Sequence, residues 1–201
     1  MIEIMEPVLK TIAFAVIAYL LGSIPFAILV TRVKTGVDVR GSGSGHAGAT
    51  NTMRAAGWTA GIVVLVTDVG KGYLAVWLAA RFGGTEAAPI VAAACVVIGH
   101  CWPIFAGFRG GMGMASGGGA LLAVWPLGFV LAVGLGSALQ LLIKHSARGN
   151  IATGLLLMPL WALFGANGTQ LGVALAVGLV ISGRALSDWN RVYRELWFDR
   201  E

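Results

Sequence analysis

The stretch Gly41–Gly57, GSGSGHAGATNTMRAAG, is poor material for a core and good material for an anion site. Gly41, Gly43, Gly45 and Gly48 allow backbone N–H groups to converge into an anion-binding concavity. Ser42, Ser44, Thr50 and Asn51 add neutral donors, and Arg54 adds a forked cation suited to phosphate. The Ala-Thr-Asn-x-x-Arg run reads as a helix start, whose N-terminus favours an anion. A second loop, Gly107–Gly119 (GFRGGMGMASGGG), sets the cation of Arg109 among the N–H groups of Gly110, Gly111 and Gly113. Two such loops suggest a pair of substrates that both carry phosphate. His100 closes the apolar segment before the second loop, where its ring suits a general base, a phosphate donor or a helix cap. His46 lies inside the first loop and is another candidate base.

Asp68 and Lys71 lie deep in an apolar segment, where a lone charge costs several kcal/mol. At i, i+3 they share a helix face and neutralise each other. The pair reads either as an ion pair pinning helices together or as the lining of a polar cavity, with Lys71 toward phosphate and Asp68 as its structural partner. Gly70-Lys-Gly72 lacks the spacing of a nucleotide-binding phosphate loop, and no strand–helix–strand unit surrounds the second glycine loop. Cys95 and Cys101 read as buried thiols without zinc spacing, so neither a disulfide nor a metal is expected.

These groups sit in a chain solvated by lipid. Of 201 residues, 57% are apolar and 11% charged, against about 25% charged in soluble domains; the mean hydropathy is +0.83. Glycine supplies 30 residues, much of it expected in close helix packing. The N-terminus is acidic and the first apolar run is too long for a signal-peptide core, so no cleaved leader is expected. The isoelectric point near 9.7 reflects loop charges that suit membrane orientation and lipid headgroups, and no nucleic acid partner is expected.

Apolar segments run over about 10–30, 59–81, 88–106, 117–143, 151–165 and 169–187. A span needs about 20 residues; 117–143 is longer and holds Pro126 and Gly128. If it turns back, eleven Lys and Arg residues (Arg32, Lys34, Arg40, Arg54, Arg109, Lys144, Arg148, Arg184, Arg191, Arg194 and Arg200) share one side, with Lys10 and Arg81 on the other. That asymmetry marks the cytoplasmic face. The expectation is an all-α, polytopic membrane bundle of about seven helices, two of them short or broken, forming a single domain over 1–201. The N-terminus lies outside; both glycine loops and the C-terminus are cytoplasmic. The seven tryptophans read mostly as an interfacial belt, Asn167-Gly-Thr169 as a tight turn, and Asp188–Glu201 as an amphipathic surface helix.

The pattern Gly43-Ser-Gly45, Gly48-Ala-Thr-Asn51 with Arg54, then Asp68, Lys71 and Gly72, then Gly99-His100, Pro103, Phe105, Gly107-Phe108, Gly110-Gly111 and Gly113 resembles the bacterial integral-membrane acyl-phosphate:glycerol-3-phosphate acyltransferases, the PlsY family. Gly22-Ser-Ile-Pro25 also resembles it, and the likeness covers about residues 20–120. It implies a seven-helix enzyme of the bacterial inner membrane that takes acyl phosphate and glycerol 3-phosphate and makes lysophosphatidic acid, as a monomer and without cofactor. On this reading Ser44, His46, Arg54 and His100 form the catalytic set. Gly43, Gly45, Gly48, Thr50, Asn51, Lys71, Arg109, Gly110, Gly111 and Gly113 hold substrate phosphate. The chain departs from the pattern at His46 (Asn in the family), at Met112 (Lys in the family) and in a C-terminal His-x-x-Asn that is absent from 181–194. The departures leave two other readings open: an acyltransferase with another acceptor, or a silent scaffold that binds or transports lipid.

Overall fold

The computed structural model describes residues 2–191, with side chains from Met5; the expected surface helix falls mostly outside them, and its first residues, Asp188–Asn190, form a turn. The described residues form nine α-helices: α1 Ile2–Ser23, α2 Phe26–Thr35, α3 Ala49–Ala56, α4 Trp58–Phe82, α5 Ala87–Cys101, α6 Met114–Val124, α7 Pro126–Ile143, α8 Ser146–Leu163 and α9 Gly168–Leu186. Each expected span appears, with two refinements. The first span breaks at Ile24-Pro25, where proline lacks an N–H and disfavours a helical residue before it. The helix start read at Ala49 becomes the separate short helix α3. Five segments are long and apolar enough to cross a membrane: Met5–Thr35, Trp58–Phe82, Ala87–Ala106, Pro126–Ile143 and Gly168–Leu186.

Contacts between distant segments mark the two ends of the bundle. At one end the Ala47 N–H donates to the Gly110 carbonyl over 3.3 Å, Arg184 Nε donates to the Gly111 carbonyl over 3.2 Å, and Arg148 lies 5.2 Å over the Trp189 ring. At the other, Thr11 meets Thr85 at 3.0 Å and Gln170 donates to the Val124 carbonyl over 3.3 Å. The segment 117–143 therefore turns back: α6 runs to the far end, the chain breaks at Trp125-Pro126, and α7 returns Lys144 and Arg148 to the loop end.

The packing suits a lipid solvent. The shared core is built from small residues such as Ala75, Ala79, Ala92, Ala93, Ala120 and Ala174, while Leu142, Leu163 and Val130 stand 77%, 84% and 62% exposed. Without a hydrophobic drive between helices, close approach through small residues holds them together. Trp161 departs from the interfacial belt: it is fully buried, its Nε1 donates to the Gly128 carbonyl over 3.0 Å, and it meets Trp125 edge-on at 5.1 Å. Asn167 closes its turn as the cap of α9, reciprocally bonded with Gln170.

Gly72 and Gly119 seat α4 against α6: a Cβ on Gly72 would lie 2.0 Å from the Ser116 carbonyl oxygen, whereas one on Gly70 meets nothing within 4 Å. Gly72→Ala is expected to cost about 1–3 kcal/mol from overpacking and to lower the melting temperature in detergent. Gly70→Ala, two residues away on a free helix face, is expected to leave it unchanged or raise it.

Candidate functional site

Beneath the loop end lies a small cavity lined by Gly22, Phe26, Ala47, Lys71, His100 and Gly110 among others. The break in the first span builds its floor. The Ile24 carbonyl, released from the helical ladder at Pro25, accepts from Lys71 Nζ over 3.0 Å. Lys71 also sits 2.8 Å from Asp68 Oδ1 and 5.7 Å from the Phe26 ring centroid. The same carboxylate oxygen lies 3.5 Å from His100 Nδ1. Asp68, Lys71 and His100 are 1%, 5% and 7% exposed, so the cluster is a neutralised polar island rather than a solvated cleft. Both meanings open in the sequence hold together: the pair pins α4 to the α1–α2 break, and it lines a cavity.

The second loop rests directly on this floor. A Cβ on Gly111 would come within 2.3 Å of His100 Nε2 and 2.6 Å of the Ala47 carbonyl oxygen, so only glycine lets the backbone pass so close. Gly110 and Gly111 N–H groups return to the Cys101 and His100 carbonyls at 3.1 and 3.2 Å, and Ala47 N–H ties the first loop to Gly110.

The first loop is organised around Asn51, which is 2% exposed. Its Nδ2 reaches the Val39, Ser42 and His46 carbonyls at 2.9, 3.0 and 3.0 Å, and its Oδ1 accepts from the Ser44 N–H at 3.2 Å. Gly43, at φ 52°, has its missing Cβ position occupied by that oxygen at 2.3 Å. The Asn51 amide thus shapes the loop from within. Ser44 is buried beside it, Gly45 turns back onto Ser42, and Gly48 opens α3 without a side-chain cap. α6 opens after Gly113 in the same uncapped way. Two helix N-termini, each at the end of a glycine loop, so present first-turn N–H groups suited to anions. Thr50, Arg109 and Arg54, the last of these in the final turn of α3, are exposed, and neither guanidinium has an ion pair or hydrogen bond of its own among the described residues.

Residues outside the sequence-derived set turn out to hold the loops. Arg40 Nη1 donates to the Ala106 and Arg109 carbonyls at 2.7 and 3.2 Å, while Asp38 grips the same side chain at 2.8 Å. That guanidinium holds the Asp38 carboxyl down at about 2. Asp-x-Arg directly before the glycines was a visible signal for this pair. His46 is bound on both sides, to Arg184 and to Asp188, 138 and 142 residues away, and no local pattern could have announced it. Burial foremost, with Arg184 and Arg191 adding, keeps the His46 pKa below the usual histidine range despite Asp188.

Removing one partner of a buried ion pair leaves an uncompensated charge. Asp68→Asn is expected to destabilise the protein by about 3–5 kcal/mol, and Asp68→Asn/Lys71→Met to regain more than half of that loss. Thermal melts of both variants in one detergent check the pair.

With this geometry in view, the likeness to known proteins has specific content. The family model described as glycerol-3-phosphate acyltransferase matches residues 12–195. The glycerol-3-phosphate acyltransferase of Laribacter hongkongensis is 39% identical over 88% of this chain and 89% of its own. That named glycerol-3-phosphate acyltransferase 2 in Moorella thermoacetica is 45% identical over 68% and 70%. The crystal structure of PlsY (YgiH), an integral membrane glycerol 3-phosphate acyltransferase, in its glycerol 3-phosphate form superposes with a TM-score of 0.78 at 31% identity, covering 90% of each chain. Its lysophosphatidic acid form gives 0.77 at 29%. The fold, the paired glycine loops and the buried Asp68–Lys71 floor are thus those of a multi-pass membrane protein, and the chain belongs to the glycerol-3-phosphate acyltransferase family.

Proposed function

We propose that this protein transfers a fatty acyl group from acyl phosphate to the sn-1 hydroxyl of glycerol 3-phosphate, releasing lysophosphatidic acid and inorganic phosphate. The observation that carries the reading is the pairing of two uncapped helix starts, α3 and α6, on glycine loops bonded to each other at one end of the bundle. Each start suits one phosphate. Glycerol 3-phosphate is supported as the acceptor by the family and by the PlsY form that carries it.

The hydroxyl oxygen attacks the acyl carbonyl carbon, the carbon–oxygen bond to phosphate breaks, and inorganic phosphate leaves. The mixed anhydride is already activated, so aligning two anions and neutralising their charge supplies most of the barrier reduction. Arg54, Arg109, Thr50 and the first-turn N–H groups that follow Gly48 and Gly113 hold phosphate. Gly43 by its left-handed turn, and Gly45, Ser44 and Asn51 through their own hydrogen bonds, shape the first loop. Lys71, paired with Asp68 and bonded to the Ile24 carbonyl, supports the loops from the floor and is not free to bind phosphate. His46 has both ring nitrogens bonded, and His100 Nε2 lies under Gly111. A substrate phosphate oxygen therefore accepts the hydroxyl proton.

The protein acts as a monomer and a single membrane domain, without cofactor, in the bacterial inner membrane. Its N-terminus faces outward and its loops and C-terminus face the cytoplasm, a reading that the charge asymmetry supports. Met112, where the family pattern has lysine, is half-buried between Gly111 and Gly113 and has no donor for phosphate; the exposed Arg109 guanidinium is the cation of this loop.

Phosphate release from acyl phosphate, measured with and without glycerol 3-phosphate, tests the reaction. Arg54→Ala is expected to lose about 1.5–3 kcal/mol of transition-state binding, a charge-assisted phosphate contact, or roughly 10- to 150-fold in kcat/KM, with the protein still folded. Normal kinetics in that variant would remove the first loop from the phosphate site. Single cysteines at Ser42, Ser146 and Gly84 in sealed vesicles are expected to label the first two from the cytoplasmic side and Gly84 from the other.

A further inference from the structure

His46 stands where the first loop, the second loop and the end of α9 meet. Its Nδ1 lies 3.2 Å from Arg184 Nη2, and its Nε2 lies 2.6 Å from Asp188 Oδ2. A guanidinium only donates, so Nδ1 accepts and the ring proton resides on Nε2, where it is donated to the carboxylate. One neutral tautomer satisfies both contacts. Arg184 uses another nitrogen, Nε, to donate to the Gly111 carbonyl at 3.2 Å. A single guanidinium therefore grips the backbone of the second loop and the side chain of the first. Asp188, buried in the turn after α9, secures the far side of the ring and lies 3.7 Å from Arg191.

We propose that Arg184 and Asp188 are positioning residues for the acyl transfer, acting through neutral His46 to hold the two glycine loops at the separation that two bound phosphates require. The inference rests on the two-phosphate reading above. Two anions side by side push their loops apart, glycine-rich backbone resists that weakly, and misalignment of the reactants by about 1 Å can cost about 100-fold in rate. A clamp from α9 adds a side-chain tie between the loops to the single backbone bond from Ala47 to Gly110.

The clamp is sensitive to protonation. Among the described residues, charged groups facing His46 include Arg184 at the end of α9 and Asp188 and Arg191 in the segment that follows. A proton on Nδ1 sets N–H against N–H at Arg184 and adds a cation between two arginines. Because the folded-state pKa is lowered, the contact is at full strength above the ordinary histidine pKa of about 6.5 and is lost as pH falls through the lowered value.

The full-length protein in liposomes, assayed for phosphate release while glycerol 3-phosphate and pH are varied, tests the clamp. Arg184→Gln is expected to raise KM for glycerol 3-phosphate at least tenfold with a smaller fall in kcat, and Arg184→Lys to recover part of the loss. His46→Asn keeps an acceptor near the Nδ1 position for Arg184 but cannot titrate, and is expected to move the acid limb of the pH profile to lower pH. An unchanged KM in folded Arg184→Gln, or an unmoved acid limb in His46→Asn, overturns the proposal; if Arg184→Gln does not fold, the pH profile decides. Wild-type protein that releases no phosphate with glycerol 3-phosphate overturns the function instead. Amide exchange then judges the clamp alone: protection factors over 41–48 that fall on acidification, after correction for the intrinsic pH dependence of exchange, support it, and pH-independent protection factors refute it.

Discussion

An ammonium group in the interior of a membrane bundle has few ways to persist, and the arrangement around Lys71 follows from that constraint. In low dielectric the charge needs a counter-ion and further polar partners. Asp68, one turn earlier on α4, is the counter-ion, and the Ile24 carbonyl is the second partner. That carbonyl is available only because Pro25 interrupts the first span. The same carboxylate faces His100 at the end of α5, and His100 in turn sits against Gly111. A helix break, two spans and a loop are therefore placed by one buried charge. The glycine loops rest on a floor that is polar, neutralised and closed.

Glycine performs two different tasks in this molecule. Within the helices its lack of a side chain permits backbone contact, as where Gly22 meets Val96, Gly99 meets Tyr19, and Gly154 meets Gly178. Such contacts replace the hydrophobic drive that lipid removes. In the loops, glycine lets the backbone fold tightly around the Asn51 amide and pass over His100. The tasks meet at Gly113, which opens α6 in a left-handed conformation while packing on Val97 and Cys101.

The loop cations divide by partner. Arg40 and Arg184 are committed to carbonyls and carboxylates within the protein, and their long reach joins elements far apart in sequence. Arg54, in the last turn of α3, and Arg109, in the second glycine loop, remain exposed. This division separates the cations bonded within the protein from those left exposed on its surface. It also gives the departures at His46 and in the C-terminal segment a common meaning, since the structure brings His46 against Arg184 and Asp188.

The spans, the turn-back of 117–143 and the two glycine loops that open helices were legible in the sequence, because each is governed by local rules: hydrocarbon thickness sets segment length, proline breaks a long apolar run, and clustered glycine marks a tightly turning backbone. The Asp68–Lys71 pair was legible for the same reason, lying one helical turn apart. Tertiary structure alone decided what these groups touch. That the Ile24 carbonyl, not a loop residue, meets Lys71, that Asn51 faces inward, that Trp161 is buried instead of interfacial, and that α9 clamps both loops through His46 all depend on contacts across dozens to more than a hundred residues. Such contacts are set by which helix faces pack together, and packing between helices in lipid is chosen by shape, which no periodicity along the chain encodes.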